Sequence, residues 1–166
     1  MDTILVVDGY NAINAIPGLR KEMKRGLSFA RKAALAISKK YAHSSGYITK
    51  VSVVFDGDDR YEDMNKLYPA HGTLQVFSRT GEGDDKIIDT VKRYSRHSRV
   101  VLASNDNYVR NNSRVYGAAL ISSEELARVR KKTSKLKKVT DKRINSDVRD
   151  KITREYRKEL GGIVHS

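Results

Sequence analysis

Three short runs of aliphatic and β-branched residues, Ile4–Val7, Tyr47–Phe55 and Arg99–Ser104, each stop at or just before an aspartate: Asp8, Asp56 and Asp106. Runs of this length and composition predict buried strands, because β-branched side chains pack well on a pleated surface covered on both sides. Two shorter candidates are Thr73–Phe77 and Ala118–Ile121. Between the runs the apolar period changes from strand-like to helical. Leu27, Ala30, Ala34, Ile37 and Tyr41 fall on one helical stripe, leaving Arg31, Lys32, Lys39 and Lys40 for solvent. Ile87, Ile88, Val91 and Tyr94 form a second stripe within Asp84–Tyr94, after the Gly81-Glu82-Gly83 turn. Strands separated by helices predict an α/β fold with a mostly parallel sheet and helices on both faces.

The segment Asp58–Gly72 is polar and reads as a loop or short helix over the strand ends. Ser122 and Glu125 have the S-x-x-E spacing of a capping box and are expected to open a helix running into the C-terminal segment. In that segment Ile144, Val148, Ile152 and Tyr156 recur every four residues, as in a helix with one apolar stripe. The expected organisation is one domain over residues 1–126 and a basic helical extension over 127–166.

The chain of 166 residues carries a formal charge of +13. Between Arg128 and Lys158 there are fourteen Lys/Arg against four Asp/Glu, a net of +10, which leaves +3 for the rest. Such a segment suits a polyanion, because Lys and Arg contacts to phosphates release condensed counterions. The plain alternative is a solvated basic helix. Cysteine is absent, which removes disulfides, thiolate zinc sites and thiol nucleophiles, and is compatible with a reducing compartment. The ILVV run near the N-terminus is much too short for a signal core, and no apolar stretch approaches the roughly 18 residues of a membrane span. Cytoplasm is the expected location.

In an open parallel sheet, ligands bind beyond the carboxyl ends of the strands, where Asp8, Asp56 and Asp106 are placed. Asp84, Asp85 and Asp89 lie at or near the start of the helix after the glycine turn, and Asp85 and Asp89 are one turn apart. Carboxylates gathered in one place repel, so the arrangement calls for a shared cation or proton. Oxygen ligands without Cys or His suit Mg²⁺ or Mn²⁺. Such an ion can activate water toward a phosphodiester, and the expected reaction is metal-assisted hydrolysis. Asn11 and Ser104 would orient a water or a phosphate without adding charge. Each aspartate also has a plain reading as a turn residue or helix cap, and Asp56, followed by glycine, is the most turn-like. His43, His71, His97 and His165 show no metal-ligand spacing, and Tyr10, Tyr61, Tyr68 and Tyr108 are candidates for base stacking or for edge packing.

The ordered set VVDGYNAI, VVFDG, GEGDDKIID, VVLASND and GAALISSEEL, over about residues 3–126, resembles the NYN domains of the YacP type in the PIN-like nuclease superfamily. The resemblance implies a three-layer α/β/α fold, an acidic Mg²⁺ or Mn²⁺ site and endoribonuclease activity. It also implies RNA as partner, with mRNA and the ribosome expected by analogy with a ribosome-associated member. Carried over by position, the family's first-strand aspartate falls on Asp8, its asparagine on Asn11 and its late-strand aspartate on Asp106. The helix aspartate falls on the Asp84–Asp85 doublet. The family's helix aspartate closes a stretch similar to G-E-T-A-D, and matching that stretch to GEGDD puts it on Asp85, which also shares a face with Asp89; this gives Asp8, Asp85 and Asp106 as metal ligands with Asn11 and Asp84 beside them. Gly83 and Asp84 stand where the family has threonine and alanine, and Asn107 is close to where some members carry a further acid, which argues against a second metal.

The expected function is therefore a metal-dependent endoribonuclease, with the basic tail holding RNA. An RNA- or ribosome-binding module of weak catalysis on the same fold is the alternative. An aspartyl phosphatase is disfavoured, because Tyr10 stands where its second aspartate would be.

Overall fold

A computed structural model describes residues 1–57 and 73–128. The Asp58–Gly72 segment and the C-terminal apolar stripe from Ile144 lie outside the described residues, as do Tyr61, Tyr68, His71 and His165. The elements in chain order are β1 (Thr3–Asp8), α1 (Gly9–Ala15), α2 (Pro17–Met23), α3 (Leu27–Ser45), β2 (Lys50–Phe55), β3 (Thr73–Phe77), α4 (Gly83–Ser95), β4 (Arg99–Ala103), α5 (Asn107–Val115) and β5 (Ala119–Ile121), closed by a 3₁₀ turn at Ser123–Ala127. The five strands form one sheet in the order β3-β2-β1-β4-β5, and every pairing is parallel.

Alternation along β1 explains the three layers. Leu5 and Val7 face one cluster, with Val53, Phe55, Ala103 and residues of α1, α2 and α3; Ile4 and Val6 face the other, with Leu102, Ile87, Val91 and Val109. Successive strand side chains point to opposite faces, so a central strand with helices on both sides must be apolar at every position. Residues Ile4 to Val7 are each at most 3% exposed. The α/β/α architecture expected from the sequence is the one observed.

Local departures have local causes. The Asp8-Gly9-Tyr10-Asn11 stretch, which reads as a polar turn, is the start of α1: Asp8 is its N-cap and Gly9 its first residue. Gly9 is required there, since a Cβ would lie 2.4 Å from ring carbons of Phe55 and 2.8 Å from the Val54 carbonyl oxygen. In α3 the buried stripe is Ala30, Ala34, Ser38 and Ala42, while Leu27 stays 39% exposed. Small residues on that stripe let α3 approach the sheet closely. Arg31 is half-buried rather than left to solvent, and donates to the Tyr10 hydroxyl. The capping box of Ser122 and Glu125 forms, but it opens a single 3₁₀ turn.

Candidate active site

The chain leaves β1 toward β2 on one side, and leaves β4 toward β5 on the other. This divergence opens a crevice at the carboxyl ends of β1 and β4, the usual ligand position in an open α/β sheet. Asp8 ends β1. Its Oδ1 caps α1 by accepting the Asn11 backbone N–H at 3.2 Å, and its Oδ2 accepts the Ser104 hydroxyl at 3.0 Å. The same Ser104 Oγ accepts the Asp106 backbone N–H at 3.1 Å, and Asp106 caps α5 by accepting the Val109 N–H at 2.9 Å. One buried hydroxyl thus joins the two strand-end aspartates.

The Ser104–Asp106 loop is held from behind as well. Asn11 Oδ1 accepts the Asn105 N–H at 2.9 Å and the Ser123 hydroxyl at 2.7 Å. Asn105 in turn accepts the Ser123 N–H at 3.0 Å and donates to both carboxylate oxygens of Glu124 at 3.0 Å. Arg110 donates to the carbonyls of Ser104, at 2.7 Å, and Ile121, at 3.0 Å. Hydrogen bonding from Asn105 holds the Glu124 carboxyl below its ordinary pKa.

The opposite wall is the start of α4. Asp56 accepts the Ser78 hydroxyl at 3.1 Å and the Gly81 N–H at 3.0 Å, fixing the turn into the helix. Gly81 has φ +85°, and a Cβ on Gly83 would sit 2.7 Å from the Cβ of Asp56. Glycine at both positions lets α4 begin against the end of β2, which brings Asp84 to the crevice. The resulting cleft, of about 280 Å³, is lined by Asp8, Asp56, Asp84 and Asp106 together with Tyr10 and Asn14, among others. Burial pushes the Asp8 carboxyl up to about 6 against the lowering effect of its hydrogen bonds, with Asp84 and Asp106 adding repulsion. Asp84 is also raised, by burial first and then by Asp106, Asp56 and Asp85.

A YacP-like NYN domain matches residues 5–164, nearly the whole chain, including the basic C-terminal segment. The chain belongs to the YacP-like NYN domain family. It thereby has a nuclease-like fold. Among solved structures it is similar to the crystal structure of a single-substitution variant of Rae1 (YacP) from Bacillus subtilis, with 28% identity over 90% of this chain and 82% of that one, and a TM-score of 0.58. A second crystal structure of Rae1 (YacP) from Bacillus subtilis shares the fold at 23% identity, covering 98% of this chain and 96% of that one, with a TM-score of 0.55. No curated protein matches the chain.

Within this family member the expected convergence is met by Asp8 and Asp106, but the helix aspartate that lines the cleft is Asp84 and not Asp85. Consecutive helical residues are about 100° apart. Asp84 shares its phase with Ile87 and Val91, which are buried against the sheet, whereas Asp85 and Asp89 share an exposed face. The spacing that favours Asp85 is what turns it away. Asn11 lines the cleft, yet its side-chain oxygen is occupied in bracing the Asp106 loop. Ser104 is fully buried, so it positions the aspartates instead of meeting a ligand. Asp56 serves both as a turn residue and as part of the lining. The Asn105–Ser123–Glu124 brace has no motif that marks it in advance.

The aspartates that line the cleft offer hard oxygen donors, with no Cys or His among the lining residues. Among the described residues no group of three or more His, Cys, Asp or Glu side chains is arranged to hold an ion directly. This donor set fits a hard ion such as Mg²⁺ that takes one or two carboxylates and keeps much of its water shell.

Proposed function

We propose that the protein is a metal-dependent endoribonuclease that hydrolyses RNA phosphodiester bonds, with Asp8, Asp84 and Asp106 holding Mg²⁺ or Mn²⁺ directly or through its water shell. The observation that carries this reading is the convergence of three mutually repelling carboxylates, from β1, α4 and the β4–α5 loop, on one cleft at the divergence of β1 and β4. A cation offsets that repulsion; when bound it would supply activation of water and stabilisation of charge on the phosphoryl oxygens. The chain's own part is positional. Ser104 fixes the separation of Asp8 from Asp106, the Asp56 turn sets the reach of Asp84, and Tyr10 and Asn14 shape the wall beside them. The charge of +13 suits an RNA substrate, and the family resemblance supports mRNA at the ribosome as its setting, in the cytoplasm. No helix among the described residues is long and apolar enough to cross a membrane.

RNA cleavage should appear with Mg²⁺ or Mn²⁺ and vanish with EDTA, and Asp8→Asn should remove cleavage while leaving RNA binding. Full activity in EDTA would overturn the metal assignment. A second reading, an RNA-binding module of weak catalysis, is favoured by the lack of a preformed three-ligand cluster among the described residues. RNA binding without any metal-stimulated cleavage would select it.

A further inference from the structure

The basic tail is not the only concentration of charge. Residues 1–127 hold nineteen Lys/Arg against fifteen Asp/Glu, a net of only +4. Residues 17–45, the span of α2 and α3, hold eight Lys/Arg against the single acid Glu22, a net of +7. The rest of that region is therefore net −3, and α4, with three of each sign, is neutral. The cations of α3 are not spread evenly. Phe29, Lys32, Ala36, Lys39 and His43 follow one another at i, i+3, i+7, i+10 and i+14, and all are exposed, with Lys40 beside them. No acid interrupts the 19 residues of α3. Among the described residues the only ion pairs are Arg25–Glu22 and Lys50–Asp2, so Lys32, Lys39 and Lys40 are not neutralised there.

The N-terminal end of α3 reaches the cleft on the neighbouring, half-buried side of the helix, one residue round from Lys32. Arg31 of α3 donates to the hydroxyl of Tyr10, and Arg20 of α2 donates through Nε, at 3.0 Å, and Nη2 to the carbonyl of Asn14. Tyr10 and Asn14 both line the cleft. From there α3 leads away along the sheet for about 28 Å at 1.5 Å per residue. Met23, Leu27 and Phe29 are exposed at the α2–α3 corner, where the Arg25 guanidinium lies 4.4 Å over the Phe29 ring, and Tyr47 is exposed just past the far end of α3. Between Lys32 and Lys40 the exposed positions carry only lysines and Ala36, and a row of cations with no large apolar side chain among them matches a phosphate backbone better than it matches a lipid surface.

We infer that the exposed Lys32–Lys39–Lys40 face of α3 is a track for the backbone of single-stranded RNA whose scissile segment lies in the adjacent cleft. This rests on the RNA-directed reading of that cleft.

The test is binding of a labelled single-stranded RNA to the full chain in EDTA, across a salt series, for wild type and the triple variant Lys32→Glu/Lys39→Glu/Lys40→Glu. A second triple variant, with Lys→Gln at the same exposed positions, separates loss of charge from reversal. The dissociation constant should rise at least tenfold for the Glu variant, and the log–log salt slope should become shallower by about 0.7 for each phosphate that is no longer neutralised. Unchanged affinity and slope in both variants would overturn the track. So would loss of binding to phosphatidylserine vesicles with RNA affinity retained, which would make the face a membrane surface. Loss of RNA affinity in a protein that never cleaves RNA would remove the nuclease reading and leave the track standing. Metal-dependent cleavage with unaltered RNA affinity would do the reverse.

Discussion

The two walls of the cleft are built on different principles. On the β1–β4 wall, Asp8 and Asp106 each cap a helix and share Ser104, so their positions are set by backbone hydrogen bonds at strand ends. On the α4 wall, Asp84 is exposed, makes no side-chain hydrogen bond to a described residue, and is placed by the phase of a helix that starts against Asp56. Fixation and burial go together on the first wall, and there the carboxyl pKa reaches about 6 for Asp8. The second wall contributes charge at the mouth of the cleft with less desolvation. A site made this way joins one rigid half to one whose composition depends on a single helical step.

That step gives the largest expected effect. Asp84→Asn should lower RNA cleavage by about 100-fold or more, because it weakens the hold on the cation that would stabilise charge on the phosphoryl oxygens. Asp85→Asn, one step around the helix on the exposed face, should stay within about threefold of wild type, as expected of a surface change that touches no substrate. Steady-state cleavage of one RNA by the two variants decides it. Equal loss from both would mean that the helix phase does not select the ligand, and the contrast between the walls would fail.

A smaller effect concerns the glycines that admit each wall. At Gly9 an added Cβ meets the Phe55 ring at 2.4 Å and the Val54 carbonyl oxygen at 2.8 Å; Phe55 is fully buried and packs edge-on against Tyr10. At Gly83 the added Cβ would lie 2.7 Å from Asp56 Cβ, which no side-chain rotation moves, so the turn that Asp56 holds through Ser78 and Gly81 must shift. Overpacking against a buried backbone and a locked ring should cost about 3 kcal/mol for Gly9→Ala, and against one Cβ in a partly exposed turn that can shift about 1 kcal/mol for Gly83→Ala. Urea unfolding of both variants measures the difference. A Gly83→Ala variant as unstable as Gly9→Ala would show that the α4 wall is as rigid as the other.

The same division explains what can be read from the sequence. All five strands are legible there: β1, β2 and β4 because parallel strands covered on both faces are near-continuous apolar runs, and β3 and β5 as shorter runs between turns. Asp8 and Asp106 follow from them, since a strand end fixes position without reference to helical phase. Helices α1, α2 and α5 are harder. The first two are seven residues each, and α5 buries only Val109 and Ser113 in a sequence rich in Asn and Arg, so the apolar period is too brief to register. That the sequence points to Asp85 while Asp84 lines the cleft has a related reason. Pairing Asp85 with Asp89 identifies a shared face correctly but says nothing of where it points, whereas Ile87 and Val91 carry that information. Asn11 reads as a ligand-facing amide, and its partners Asn105 and Ser123 are distant in sequence, so the bracing role becomes visible only in three dimensions.

The smallest effect isolates the rigid wall. With a folded pKa of about 6 against the ordinary aspartate value of 3.8, Asp8 binds its proton more tightly in the native state than in the unfolded chain. Its contribution to stability is therefore fully present below about pH 4 and is lost as pH rises through 6. Asn at this position does not titrate and remains a good N-cap, though it must donate to Ser104 rather than accept from it. In EDTA, Asp8→Asn should be about 1–2 kcal/mol more stable than wild type at pH 7, a shift of about two pKa units being worth about 3 kcal/mol before the altered Ser104 bond is set against it. The advantage should shrink through pH 6 to 4 and reverse or vanish below. Unfolding free energies measured across that range provide the check. A variant less stable at every pH would mean that the Ser104 bridge outweighs desolvation, and that the β1–β4 wall holds its carboxylate without strain against ionisation.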